Sequence, residues 1–138
     1  MPATSRFYEQ HADCLAEQYT SLKFEDVHAS WRAFWPQARD RVLDVGAGSG
    51  RDAKWMAEHG CEVIAIEPAQ ALLRFGKSYC GDSVTWFEDG LPKLEKTINL
   101  GFRFDLILVS AVWMHLAPTH RERAFRKLAN LLAPNVDW

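Results

Sequence analysis

Eleven residues, Val42 to Asp52, constrain this chain more than any other stretch: Val-Leu-Asp-Val-Gly-Ala-Gly-Ser-Gly-Arg-Asp. An apolar run breaks into three alternate glycines and then into helix-forming sequence, which reads as a strand, a tight turn and a helix start. Glycine at 46, 48 and 50 removes every Cβ from the turn, so the backbone can take positive φ and a flat ligand can approach it. A G-x-G-x-x-G dinucleotide fingerprint requires glycine at 51, where the chain has Arg51, so an NAD(P)-dependent oxidoreductase is disfavoured. No Gly-Lys-Ser/Thr follows, so a Walker loop is disfavoured too. What remains is a glycine turn preceded by an acid, Asp44. That carboxylate repels phosphate and suits a ligand with positive charge.

Downstream, Ala53 to His59 reads as a helix stopped by Gly60, and Cys61 to Ile66 as a short apolar strand. The strand ends in Glu67, 17 residues beyond Gly50, where an acid is placed to accept hydrogen bonds from both ribose hydroxyls. Pro68 opens the next helix at its first turn. Ser83 to Phe87 alternates as a strand should and runs into Glu88-Asp89-Gly90-Leu91-Pro92. Phe104 to Ser110 is nearly all apolar, as a strand buried on both faces must be.

These segments resemble the class I S-adenosylmethionine-dependent methyltransferases. Val42 to Asp52 looks like the family's motif I, Glu88 to Pro92 its third acidic motif, and Phe104 to Ser110 its fourth. The resemblance implies an α/β fold: a Rossmann-like three-layer αβα domain with a mostly parallel sheet of partial strand order 3-2-1-4, plus N-terminal helices. It implies S-adenosylmethionine as cofactor, with S-adenosylhomocysteine as product. The glycine turn, Gly46, Ala47, Gly48 and Gly50, is then expected to hold the methionine end, with Asp44 fixing the turn or the amino group through water. Arg51 is placed to face the carboxylate. Glu67 with Pro68 takes the ribose, Asp89 with Gly90 the adenine amine, and Ser110, Ala111 and Trp113 wall the sulfonium side. His115 is a weak candidate for a base, since displacement at a sulfonium relies on positioning more than on proton transfer. The expected reaction is in-line methyl transfer to a small-molecule acceptor. A non-catalytic module that keeps the cofactor pocket, or only the fold and its self-association, is the alternative.

Each motif also has a plainer reading. A glycine turn can be tight packing, an acid at a strand end can be a solvated cap, and Glu-Asp-Gly is a good turn in any protein. A net charge of −2 gives no global attraction for nucleic acid or anionic membrane. The basic residues Arg121, Arg123, Arg126 and Lys127 alternate with Ala124, Phe125, Leu128, Leu131 and Leu132, as on the wet face of an amphipathic helix over Thr119 to Leu132. No long apolar run or signal peptide is visible, and Cys14, Cys61 and Cys80 fit neither a metal site nor a disulfide framework. A cytoplasmic location with reduced thiols is expected.

A single domain is expected, with residues 1–38 as an N-terminal helical segment and 39–138 as the core. Two helical patterns precede the glycine motif, Thr4 to about Thr20 and Phe24 to Trp35, the second stopped by Pro36. Phe7, Tyr8, Leu15 and Tyr19 share much of one face; Tyr8 and Tyr19 are candidates for the methionine end, though packing is favoured. Trp31, Phe34 and Trp35 read as core, and Thr97 to Arg103 as a loop. After Leu132 the family continues into a fifth strand and beyond, whereas here six residues follow. The resemblance therefore covers about the first two-thirds of such a domain. The fourth strand is expected at a sheet edge, which favours pairing in a homodimer or other self-association.

Overall fold

A computed structural model describes residues 23–109 and 117–134. In chain order the described elements are α1 (Phe24–Val27), a 3-10 segment (Ala29–Phe34), β1 (Arg41–Val45), α2 (Arg51–Glu58) and β2 (Glu62–Ile66). Then come α3 (Gln70–Cys80), a 3-10 turn (Gly81–Ser83), β3 (Val84–Phe87), α4 (Glu95–Asn99), β4 (Leu106–Val109) and α5 (Pro118–Leu131). The strands form one parallel sheet in the order β3-β2-β1-β4, the expected partial order.

Side chains alternate across the sheet, as the pleat requires. Val42, Val63, Ala65, Val84 and Trp86 face a layer that includes Ala53 and Met56 of α2 with Leu73 and Cys80 of α3. Leu43, Val45, Ile64 and Ile66 face the other layer, which holds Leu94, Phe104 and Leu128 and Leu131 of α5. The result is three layers, αβα. Val42, Leu43, Ala65, Ile66 and Met56 are at 0 % exposure, each large side chain among them contributing about 1.5–3 kcal/mol by burial. Gly60, at φ +90°, ends α2 as expected, and Pro118 stands in the first turn of α5.

Four local expectations are corrected. The helix expected over Phe24 to Trp35 is a single turn followed by a 3-10 segment, with a break at Trp31 (φ −120°, ψ 29°). Phe34 is 72 % exposed and is not core, whereas Trp31 and Trp35 are partly buried against the first layer. Thr97 to Arg103 is not simply a loop, because α4 runs through Asn99. Within the stretch expected to be buried on both faces, Phe104 is buried but the strand that follows is not. Leu106 to Val109 are half-buried, since β4 has β1 on one side and is an edge among the described residues.

Phe104 instead forms a parallel bridge on the outer side. Its N–H donates to Leu131 O at 2.8 Å, and Ala133 N–H donates to Phe104 O at 2.8 Å. The segment after α5 thus begins to pair with the outer edge next to β4. Of the helix residues read as amphipathic, Ala124, Leu128 and Leu131 are buried while Phe125 is 53 % exposed. The Thr4 to Thr20 pattern, with Phe7, Tyr8, Leu15 and Tyr19, lies outside the described residues, as does Cys14.

Candidate functional site

In a parallel sheet the carboxyl ends of neighbouring strands come out side by side. The register pairs Val45 with Ile66 and Ile66 with Phe87, so the segments that follow, Gly46 to Gly50, Glu67 and Glu88 to Gly90, share one edge. The glycine turn is anchored there by its own backbone. Gly46 N–H and Ala47 N–H both donate to Ile66 O, at 2.9 and 3.0 Å, and Gly50 N–H donates to Ala47 O at 3.1 Å.

The three glycines take positive φ, +70°, +58° and +91° at 46, 48 and 50. They serve different ends. A Cβ at Gly48 would meet nothing nearer than Gly46 O at 4.0 Å, so this position leaves open room above the turn. A Cβ at Gly50 would approach Cys80 Sγ to 2.7 Å and Trp86 to 3.1 Å, so that glycine is required by packing beneath the turn. Gly76 of α3 is required for the same reason, since its Cβ would come within 2.3 Å of Trp86.

Three buried acids converge on the turn. Glu67, 4 % exposed, accepts from Gly48 N–H on Oε1 and from Ala69 N–H on Oε2, both at 2.9 Å. It therefore ties the glycine turn to the start of α3. Both carboxylate oxygens are thus engaged at the strand end, beside the open room above Gly48. Asp44, 1 % exposed, has no hydrogen-bond partner for Oδ2 among the described residues. Burial, then the neighbouring Asp52 and Glu67 charges, hold its carboxyl well above the ordinary carboxylate range, against the opposing pull of Arg51. An orphaned buried carboxyl of this kind fits a cationic group brought in by a ligand.

Arg51 is held by its neighbour. Its Nε donates to Asp52 Oδ1 at 2.9 Å and its Nη2 to Asp52 Oδ2 at 3.3 Å. Asp52 is approached from the other side by His28, whose Nε2 lies 3.1 Å from Oδ2, in ion-pair range but off hydrogen-bond alignment. His28 Nδ1 accepts from Trp31 Nε1 at 3.1 Å, and tryptophan only donates, so the His28 proton sits on Nε2. The segment carrying His28 is seated by Phe24, stacked on Trp55 of α2 at 3.9 Å with their planes 5° apart. Sequence reasoning missed Asp52 and His28. An acid in a first helical turn reads as an ordinary dipole partner, and nothing in the sequence marks His28.

Asp89 is engaged by the fold. Its Oδ1 accepts from Gly90 N–H at 2.9 Å, and its Oδ2 accepts from Thr97 N–H at 2.9 Å and Thr97 Oγ1 at 2.7 Å. Gly90 lies against Pro68, where an added Cβ would approach Pro68 Cγ to 3.4 Å. The structure thus brings together Asp44, Gly46, Ala47, Gly48, Gly50, Arg51, Glu67, Pro68, Asp89 and Gly90 at one sheet edge. Ser110, Ala111, Trp113 and His115 lie outside the described residues. A cavity of about 180 Å³ between α1 and α2 is lined in part by Phe24, Arg51, Lys54 and Trp55, and shares Arg51 with the glycine-turn cluster.

A family model described as a methyltransferase domain matches residues 42–135. The biotin biosynthesis bifunctional protein BioHC of Cellvibrio japonicus is 28 % identical over 99 residues, 70 % of this chain and 18 % of that protein. An uncharacterized methyltransferase of Mycobacterium tuberculosis is 28 % identical over 101 residues, 72 % of this chain and 38 % of that protein. The chain therefore spans between about a fifth and two fifths of these curated relatives. Among solved structures, a TehB-like SAM-dependent methyltransferase from Corynebacterium glutamicum superposes with a TM-score of 0.67 at 24 % identity, covering 96 % of this chain and 68 % of that one.

Proposed function

This chain belongs to the methyltransferase-domain family, and from that premise we propose that it holds S-adenosylmethionine across the glycine turn and transfers its methyl group to a small-molecule acceptor. The observation that carries the reading is the convergence of Asp44 and Glu67, both buried, on a turn whose Gly48 leaves open room. When bound, the cofactor supplies a methyl group on a sulfonium, a very good leaving group. The work left to the protein is to bind, orient and exclude water. Asp44 faces the positively charged methionine end. Glu67 keeps the turn in shape through Gly48 N–H and, at the end of its strand, is the acid set to accept from the ribose hydroxyls. Asp89 reaches the adenine amine while holding α4.

A cytoplasmic location belongs to the same proposal. Among the described residues no helix is long and apolar enough to cross a membrane. Self-association through the half-buried β4 edge is a separate proposal. Sedimentation would read it as twice the mass of the chain, and a monomer at high concentration would end it.

Calorimetric titration with S-adenosylhomocysteine tests the cofactor reading. Micromolar binding is expected, weakened about tenfold or more by Glu67→Ala through loss of charge-assisted hydrogen bonds. No binding by the folded wild-type chain would overturn it. Binding without turnover on any acceptor would favour the non-catalytic module.

A further inference from the structure

One carboxylate at the glycine turn has no part in the cofactor reading. Asp52, 6 % exposed, takes two donors of the Arg51 guanidinium, and these are the hydrogen bonds Arg51 makes among the described residues. A guanidinium has five N–H donors, so both on Nη1 are left over. The same cation is felt at Asp44, whose Oδ2 is without a hydrogen bond among the described residues. Among the described residues, one turn thus presents a guanidinium with an unpartnered edge and a carboxyl with an unpartnered oxygen. Those two poles match an α-amino-acid headgroup, which carries one carboxylate and one ammonium.

A direct pair between Arg51 and an ionised Asp44 would quench both poles. Asp52 adjoins Arg51 in the chain and holds the Nε and Nη2 edge with two bonds. We propose that Asp52 is a positioning residue: by gripping one edge of Arg51 it keeps the guanidinium off Asp44, leaving both poles to receive an α-amino-acid headgroup. His28, its tautomer set by Trp31, braces Asp52 from the upstream segment. This rests on the reading that the turn holds an adenosyl ligand, and it adds the determinant that selects for the headgroup.

The test compares S-adenosylhomocysteine with 5′-methylthioadenosine, which has the same nucleoside and thioether sulfur but no amino-acid headgroup. Their dissociation constants are measured by calorimetry on wild type, Arg51→Ala, Asp52→Asn and the double variant. Wild type is expected to prefer S-adenosylhomocysteine. Each single substitution should weaken that ligand about tenfold and leave methylthioadenosine within about twofold, and the double variant should be no weaker than Arg51→Ala alone. Equal losses for both ligands would mean that Asp52 merely shapes the turn, and would overturn the proposal. So would an Arg51→Ala chain that keeps its preference, and since the Arg51 side chain is 16 % exposed, that variant tests the idea even if Asp52→Asn fails to fold. Wild type binding both ligands equally would overturn the headgroup site alone. Binding of neither would overturn the cofactor reading, and this proposal with it.

Discussion

Asp44 closes β1 with its carboxyl out of water, beside two other acids. Because the folded chain holds the Asp44 proton more tightly than the unfolded chain, ionisation works against the fold. Its contribution is fully present below the ordinary value of 3.8 and is lost as pH rises through the raised folded-state value. Asp44→Asn is therefore expected to raise Tm at pH 7 and to change it little at pH 4. The rise should be about 3–5 °C for each kcal/mol relieved. A Tm that falls at pH 7 would show that the charged carboxylate is satisfied in the fold. A cationic ligand bound here should pull the raised Asp44 value back down, so that binding releases protons at pH values between the free and the bound value. That release can be read by repeating the titration in buffers of different ionisation enthalpy.

At the scale of elements, Asp89 illustrates how one residue serves two readings. Its carboxylate receives both donors of Thr97, a residue at 0 % exposure, so it stitches α4 to the end of β3. α4 has five residues and cannot stand without such outside support. Asp89→Ala should cost about 1–3 kcal/mol by leaving buried donors unpaired. Amide exchange should accelerate first over Glu95–Asn99. An unchanged Tm would mean that α4 is held by its packing alone. From the sequence, Glu-Asp-Gly was legible as a turn and a motif, but Thr97 lies eight residues on, within what reads as a loop, so its pairing with Asp89 could not be inferred. The α1 region was misread for a related reason. Its aromatics keep helical spacing, yet the packing of Phe24, Trp31 and Trp35 around His28 and Trp55 is met by one turn and a 3-10 segment, which leaves Phe34 outside.

For the molecule as a whole, two thiols report on the core. Cys80 lies under the glycine turn, its Sγ 3.4 Å from Gly50 O, and burial pushes its pKa to about 11, while burial also raises Cys61. Both are free thiols and both are 8 % exposed. Alkylation at pH 8 should leave them intact in the native chain, and they should react together when denaturant unfolds the sheet. Early modification of Cys80 alone would show that the turn opens without global unfolding.

Strand order and the place of the glycine turn followed from local sequence, because alternate glycines after an apolar run specify a strand–turn–helix unit, and right-handed crossovers leave few ways to join four such strands. Glu67 was found by its distance from the glycines, a spacing that βαβ geometry sets. The sequence by itself thus determined the family, the sheet and the sheet edge that carries the glycine turn. Tertiary structure alone decided what the acids at that edge do. Glu67 grips Gly48 N–H, Asp89 supports α4, and Asp52 stands between Arg51 and a histidine 24 positions upstream. Hydrogen-bond partners are chosen by proximity in space and by loss of water, and neither is written in a local pattern of residues.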